Sequence, residues 1–142
     1  TDNEALTVKH TLEQLDVHAR IERYTHWEIE TKGKQKEIEK AILDSGELFN
    51  SNKEYRLPHI KEGKHQEALV LIRNQEDVFG KSKQESLIKR FGIKGIQNIT
   101  KGTIWKICVE RGNIDAVVDH IVNSRILFNQ YSQDCYIYEL RR

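Results

Sequence analysis

Cysteine and proline are scarce in this chain of 142 residues, which has two cysteines and one proline. The single proline, and the lack of any stretch rich in proline, serine and glycine, argue against a long flexible linker. Cys108 and Cys135 lie in strand-like segments with apolar neighbours, which favours reduced core thiols over a disulfide. A disulfide between them stays open at this stage. Reduced thiols predict a cytoplasmic location.

Long apolar runs and an excess of one charge are also absent. The longest apolar runs have four or five residues, far fewer than a membrane-spanning helix needs. Lysine and arginine number 23 against 22 aspartates and glutamates, so no global field attracts nucleic acid or an anionic membrane. Neither is therefore expected as a partner. The length fits one ordinary domain or two small subdomains that share a core.

Motifs for catalysis or metal binding are missing from the sequence. None of the six histidines pairs with another at the helical spacing of four residues, and neither cysteine belongs to a CxxC motif. No glycine-rich phosphate loop and no GxSxG motif is present. His120, beside Asp119 on an amphipathic segment, is expected at the surface. The sequence thus predicts no catalytic residue, no metal site and no cofactor.

Hydrophobic periodicity predicts an alternation of helices and strands. Gly92 is predicted to end one helix, Asn113 to cap another, and the pair Lys101 and Gly102 to form a hairpin turn. Strands are predicted at residues 20–31, 67–73 and 135–140, with a strand pair or one bent strand at 96–110. Helices are predicted at residues 3–15, 37–48 and 83–91 and after residue 113, and a short strand is predicted to end at Pro58.

The chain contains an internal repeat. A Leu-Phe-Asn tripeptide that ends at Asn50 recurs 79 positions later and ends at Asn129. Gly33 and Gly112 are separated by the same 79 positions. Several matches in one order favour duplication over chance. The predicted repeats span residues 1–62 and 63–142, and the first lacks an initial strand. Two further matches are 78 positions apart: Trp27 with Trp105, and Ile29 with Ile107.

The second repeat resembles the PurS subunit of phosphoribosylformylglycinamidine synthase. The resemblance is carried by "ALVLIRNQEDVFGKSKQESLIKRFGIKGIQNITKGTIWKICVE" and "SRILFNQYSQDCYIYEL". Gly80 matches the last glycine of the family's first loop, and residues 91–93 match its turn after the first helix. Asn129 matches an asparagine of the family's tail. Two departures are Gln130 in place of a proline and the reversed order of lysine and glycine at Lys101. The first repeat resembles the same family more weakly.

The resemblance implies a small α+β subunit without an active site of its own. PurS proteins form dimers that join a glutaminase subunit to a large ATP-dependent synthetase subunit in purine biosynthesis. A tandem copy is similar to that dimer fused into one chain, with ferredoxin-like-related repeats, an antiparallel sheet and helices on one side. The implied partners are therefore those two subunits, and self-association is left open. The candidate contact residues are Lys101, Gly102, Thr103, Asn50 and Asn129.

Two other functions remain open from the residues alone. One is a ligand-sensing regulatory module built from ferredoxin-like repeats. The other is an RNA-binding α+β protein, which would use Tyr24 with Trp27, or Tyr136 with Tyr138, as stacking rings. The near-zero net charge speaks against RNA, and Trp27 and Trp105 each share a strand face with an isoleucine, which favours core positions.

Overall fold

The computed structural model describes residues 7–10, 19–48, 60, 65–109 and 112–141. Residues 7–10 are helical. The strands are β1 (Arg20–Thr31), β2 (Gln66–Asn74), β3 (Ile96–Val109) and β4 (Gln133–Arg141), and the helices are α1 (Gln35–Ser45), α2 (Val78–Lys89) and α3 (Ile114–Ser124).

These strands form one four-stranded sheet in the order β1-β3-β2-β4. Strand β2 pairs antiparallel with β3 on one side and with β4 on the other. Val70 of β2, for example, lies opposite Trp105 of β3 and Ile137 of β4. The register between β2 and β4 shifts at Leu69 and Val70, which marks a β-bulge. The predicted α+β class with an antiparallel sheet is confirmed.

The chain divides into two compact units, each with its own core. The larger unit comprises residues 1–26, 61–76 and 102–142, and the smaller unit comprises residues 27–60 and 77–101. Strands β1 and β3 each contribute residues to both units. The predicted repeat boundary between residues 62 and 63 lies outside the described residues and stays a prediction.

Alternating residues of two strands build the core of the larger unit against helix α3. In a strand, every second side chain lies on the same face, whereas in a helix the residues three or four apart do so. Trp105 is among the largest buried side chains, so its predicted core position is confirmed. The core residues from β2, β3 and α3 are Ala68, Val70, Ile72, Trp105, Ile107, Val109, Ile114, Val118 and Ile121.

Helix α3 begins at the predicted cap. The Asn113 Oδ1 atom accepts hydrogen bonds from the backbone N–H groups of Asp115 at 2.9 Å and Ala116 at 3.4 Å. A side-chain oxygen at this position satisfies donors that have no partner within the helix. The Gln66 side chain of β2 accepts a further bond, from the Ile114 N–H at 3.1 Å. The helix start is thereby tied to the sheet.

The smaller unit buries one side of α1 and α2 together with the first part of β3. Trp27 and Ile29, which alternate along β1, both pack at the edge of this core. Their predicted common face is therefore confirmed, because both contact the same cluster. The buried residues of the cluster are Ile38, Ile42, Leu87, Ile93, Ile96 and Ile99.

Two predicted helix boundaries are wrong by three residues or more. Helix α2 begins at Val78 rather than Lys83, because Asp77 provides a cap that starts the helix earlier. Helix α1 ends at Ser45 rather than Leu48, because Gly46 adopts a left-handed conformation with φ 66°. Glycine takes this conformation without the steric cost that a Cβ atom brings. The predicted strand that ends at Pro58, and most of the predicted helix at 3–15, lie outside the described residues.

Of the two alternatives predicted for residues 96–110, the strand pair with a hairpin at Lys101 and Gly102 is wrong and the single strand is confirmed, because β3 continues through both residues without a break. Gly102 has a different role in the strand. A Cβ atom at this position would lie 2.8 Å from Leu71 Cδ1 and 3.1 Å from the Ile72 carbonyl oxygen. The glycine therefore permits the close approach of β2 to β3.

Both cysteines are free, as predicted. Cys108 pairs in register with Glu67, whereas Cys135 pairs with Ile72. Glu67 and Ile72 are an odd number of positions apart in β2, so the two thiols lie on opposite faces of the sheet. A disulfide between them is excluded by this arrangement. Burial raises the pKa of the Cys135 thiol, which keeps it protonated.

A buried ion pair joins the last strand to the centre of the sheet. Glu67 is 1% exposed and Arg141 is 7% exposed, and Arg141 Nη1 lies 3.0 Å from Glu67 Oε2. Lys106 Nζ lies 3.6 Å from the other Glu67 oxygen, and Glu139 lies 3.1 Å from Arg141 Nη2. Burial alone would lower the pKa of Arg141, but these carboxylates outweigh it and raise the pKa. Strand β4 thus depends on a charged contact in a place that excludes water.

Replacing Arg141 with methionine should destabilise the fold by about 3–5 kcal/mol, because the buried Glu67 carboxylate loses its closest cation. Urea denaturation monitored by circular dichroism measures this change. The matched control is the double variant Glu67→Leu with Arg141→Met, which should recover much of the loss because neither charge remains buried. A single variant as stable as the parent protein would contradict the role of the pair.

His26 of β1 occupies a half-buried position in the larger unit. Its ring meets the Tyr138 ring edge-on, with 5.4 Å between the ring centroids. Its Nε2 atom is buried and has no hydrogen-bond partner among the described residues. Burial and the positive charge of Arg73 both lower the pKa of His26 below 6.5. The folded protein therefore favours the neutral imidazole.

Acid should destabilise the protein through His26. Because the folded state binds this proton more weakly than the unfolded chain, the unfolded chain gains protons first as the pH falls below 6.5. The free energy of unfolding should thus decrease as the pH is lowered below 6.5. Above that pH, His26 should not make it depend on pH. Replacing His26 with glutamine should reduce the loss measured by urea denaturation between about pH 7.5 and about pH 5. An equal loss in both proteins would argue against this assignment.

Candidate partner-binding surface

The residues predicted as partner contacts do not all belong to one unit. Lys101 belongs to the smaller unit, whereas Gly102, Thr103 and Asn129 belong to the larger unit. Asn50 lies outside the described residues. Gly102 is buried and Thr103 is half-buried opposite Ile72. A partner contact through these residues stays a prediction.

Two aromatic rings flank the Lys101 ammonium group. Its Nζ atom lies 4.6 Å from the centroid of the Phe79 ring and 5.7 Å from the centroid of the Trp27 ring. Both distances are within the range at which the negative face of a ring attracts a cation. The side chain of Lys101 thus brings the start of α2 and the middle of β1 together at one place.

The Asp77 carboxylate holds α2 against β3. Its Oδ1 atom accepts a hydrogen bond from the Gly80 N–H at 2.9 Å, which caps the helix. Its Oδ2 atom accepts one from the Lys101 N–H at 2.8 Å, in the adjacent strand. Both bonds are charge-assisted, and such bonds are stronger than those between neutral groups. One side chain therefore sets the position of Phe79 relative to Lys101.

Gly80 makes this close approach possible. A Cβ atom at this position would lie 2.3 Å from Asp77 Oδ2 and 2.3 Å from the Ile99 carbonyl oxygen. Both distances are far shorter than an ordinary van der Waals contact, and the second atom belongs to the backbone. Only glycine fits between the cap and β3. This is the glycine that matches the end of the first loop in the PurS resemblance.

We call Val78, Phe79, Lys101 and Trp27 the Phe79 surface. Val78 is 66% exposed and Phe79 is 57% exposed, although both are apolar. Among the described residues, no carboxylate lies within ion-pairing distance of the half-buried Lys101 ammonium group. The surface therefore combines exposed apolar side chains with a cation that no carboxylate of the described residues pairs with.

Asn129 closes the turn that leads into β4. Its Oδ1 atom accepts a hydrogen bond from the Tyr131 N–H at 3.0 Å, and its carbonyl oxygen accepts one from the Gln133 N–H at 2.8 Å. The Gln133 side chain returns a bond by accepting the Asn129 N–H at 2.9 Å. These bonds give the asparagine a structural role, since such side chains stabilise turns in this way.

A second group of exposed apolar residues lies on β4, which is at one end of the strand order. Tyr136, Ile137 and Tyr138 follow one another and are each about half exposed. The register shift against β2 falls within this segment, because Leu69 pairs with Glu139 and Val70 pairs with Ile137, and it interrupts the regular alternation of faces. The tyrosines thus lie at the edge of the sheet, as the sequence predicted.

Sequence reasoning missed Asp77, Val78 and Phe79, because they fall between the predicted strand at residues 67–73 and the predicted helix at residues 83–91. The signal was present in the sequence. An aspartate that precedes the first residue of a helix is a common cap, and Asp77 directly precedes Val78. The aromatic contacts of Lys101 had no such signal, because Trp27 is remote in sequence.

A scan of the chain against protein-family models found no match, and a search of curated proteins found no match either. Within the described ranges, no group of three or more histidine, cysteine, aspartate and glutamate side chains could hold a metal ion. In the same part of the chain, no helix has both the length and the apolar character needed to cross a membrane.

Replacing Gly80 with alanine should destabilise the protein by about 1–3 kcal/mol, because the added methyl group overlaps the Ile99 backbone and the Asp77 cap. Thermal or urea unfolding measures the change. Ser82→Ala, at an exposed position of the same helix, is the matched control and should change stability little. If both variants are equally stable, the close approach at Gly80 does not constrain α2.

Proposed function

We propose that this chain is a non-catalytic accessory subunit of phosphoribosylformylglycinamidine synthase. In this role it joins the glutaminase subunit to the large synthetase subunit, in the cytoplasm and without a cofactor of its own. The observation that carries the proposal is the order β2-α2-β3-α3-β4 over residues 66–141. This is the segment with the stronger PurS resemblance, and its strands and helices alternate as the resemblance implies.

Two glycines of that segment support the proposal at the level of local geometry. Gly80 lies where a side chain would overlap Asp77 and the backbone of β3. Gly92 follows α2 with φ 64°, a conformation that favours glycine. Both match glycines in the PurS-like motifs. The resemblance therefore includes two positions at which the fold favours glycine, in addition to positions that only need an apolar side chain.

Helices α1 and α3 support the proposed duplication. Each has 11 residues, and Gln35 and Ile114, their first residues, are 79 positions apart, as are Gly33 and Gly112. Gly33 has φ 112° and Gly112 has φ 105°. The two helices thus begin after the same unusual backbone conformation, which is expected if they descend from one ancestral repeat.

The C-terminal ends of these helices are also alike. Gly46 after α1 and Arg125 after α3 are both left-handed, with φ 66° and φ 57°. The Ser45 hydroxyl donates to the Ile42 carbonyl at 2.6 Å, and the Ser124 hydroxyl donates to the carbonyl three residues before it at 2.6 Å. Arg125 keeps a conformation that is unfavourable for a residue with a Cβ atom. This supports a tandem pair of PurS-like repeats, at residues 1–62 and 63–142, that form a pseudo-dimer.

A bridging subunit acts through geometry rather than through chemistry of its own. Ammonia released by a glutaminase is lost to water unless the synthetase is held close to it. Holding both subunits on one body converts the transfer into an intramolecular step with a high effective concentration. Such a body needs a surface for each subunit. The Phe79 surface in the smaller unit and the exposed residues of β4 in the larger unit are the candidates.

The direct test is reconstitution with purified glutaminase and synthetase subunits. Glutamine-dependent turnover should fall strongly when this chain is omitted, because ammonia no longer transfers efficiently between the subunits. Turnover driven by added ammonium is the control and should change little, because it bypasses the glutaminase. Unchanged glutamine-dependent turnover after omission would remove the proposed function.

An RNA-binding protein is the second candidate function. The observation that favours it is the exposure of Tyr136 and Tyr138 on one strand, where rings are available for base stacking. RNA affinity that decreases with salt and is lost in Tyr136→Ala would support this function. The accessory-subunit proposal instead expects no RNA affinity, in keeping with the net charge of +1.

A further inference from the structure

We propose that the Phe79 surface binds an acidic, apolar segment of one partner subunit. A carboxylate of that segment pairs with the Lys101 ammonium group, and its apolar side chains pack on Val78 and Phe79. This inference rests on the proposed function and deepens it. It names the residues of one docking surface and the chemistry of the segment that the surface accepts.

The first argument is the missing counter-charge of Lys101. The side chain is half-buried between the Phe79 and Trp27 rings, with no carboxylate within ion-pairing distance among the described residues. The Asp77 carboxylate caps α2, and its two oxygens accept the backbone N–H groups of Gly80 and Lys101 rather than the ammonium group. A partner carboxylate at Lys101 would supply the counter-charge that the described residues do not provide.

The second argument is the exposed apolar area beside that charge. Val78 and Phe79 are exposed to 66% and 57%, and they are the first two residues of α2. Aromatic residues are enriched at the centres of protein interfaces, where they supply a large share of the binding energy. A segment with an acidic residue between apolar residues would complement both features, whereas a purely acidic segment would leave the apolar area exposed.

The third argument is that the surface is already ordered. Asp77 fixes the start of α2 through two hydrogen bonds from backbone N–H groups, of 2.9 Å and 2.8 Å. At position 80, any residue larger than glycine would overlap Asp77 and the backbone of β3. The aromatic contacts restrict the Lys101 side chain as well. Binding to such a surface costs less conformational entropy than binding to a mobile loop, so more of the contact energy appears as affinity.

The same helix offers a matched control. Ile88 is exposed near the other end of α2, nine residues beyond Phe79 and therefore about 14 Å along the helix axis. A substitution there removes a comparable exposed apolar side chain without touching the Phe79 surface. Comparing the Ile88 variant with the Phe79 variant shows whether binding needs the Phe79 surface or only exposed apolar area in general.

Binding of the full chain to each isolated subunit, glutaminase or synthetase, can be measured by calorimetry. We expect Lys101→Glu and Phe79→Ser each to weaken binding to one of the two subunits about tenfold or more. Val78→Glu should weaken binding to the same subunit, because it opposes the partner's acidic residue. Val78 is so exposed that this variant should fold normally, and thermal unfolding checks all variants. Ile88→Ser should bind as the parent chain does.

Salt separates the electrostatic part of the inference from the apolar part. Affinity of the parent chain should decrease as salt is added, and Lys101→Gln should show a weaker dependence, because the partner carboxylate has lost its cation. If Phe79→Ser weakens binding but Lys101→Glu does not, the acidic character of the partner segment is wrong.

The two levels of the proposal can fail separately. If the parent chain binds neither subunit, the proposed function fails, and this docking site fails with it. If the parent chain binds but Lys101→Glu, Phe79→Ser and Val78→Glu all bind within about twofold of it, the inference is overturned while the proposed function stands.

Discussion

The candidate surface depends on the two hydrogen bonds that the Asp77 carboxylate accepts. The carboxylate accepts one N–H from the start of α2 and one from β3, so it joins a helix and a strand with a single side chain. A charged group can occupy this position because both oxygens have donors. Gly80 leaves the room that the cap requires, and Phe79 takes its place over Lys101 as a consequence. The exposed apolar residues are thus a result of how the helix begins.

The two cores use corresponding residues of the proposed repeats. Trp27 with Ile29 and Trp105 with Ile107 occupy corresponding positions in the proposed repeats, and each pair contacts the core of its own unit. Helices α1 and α3 begin after a glycine of positive φ and end in a left-handed residue. Local sequence dictates these ends, because each depends on one or two residues. The larger unit adds the buried contact between Glu67 and Arg141, which ties the last strand to β2.

The elements that sequence reasoning predicted best are those with a strong local signal. The strand at residues 20–31 and the cap at Asn113 are confirmed, because alternation and a capping side chain act over short distances. The predicted hairpin at Lys101 and Gly102 was wrong. The sequence shows a glycine there, but it does not show whether the glycine forms a turn or allows a neighbouring strand to approach closely. The Phe79 surface was only partly foreseen. Lys101 was named as a contact residue, but its aromatic neighbours were not.

The sequence by itself determined the α+β class, the cap at Asn113 and the alternation that selects the core residues, and it favoured free thiols. Those features follow from periodicity and from side chains that act on their own backbone. Tertiary structure alone decided that Gly102 lies inside a strand, that Glu67 meets Arg141, and that Lys101 lies between two rings. Each of these depends on residues remote in sequence, and only the pairing of strands and the packing of α2 bring them within contact distance.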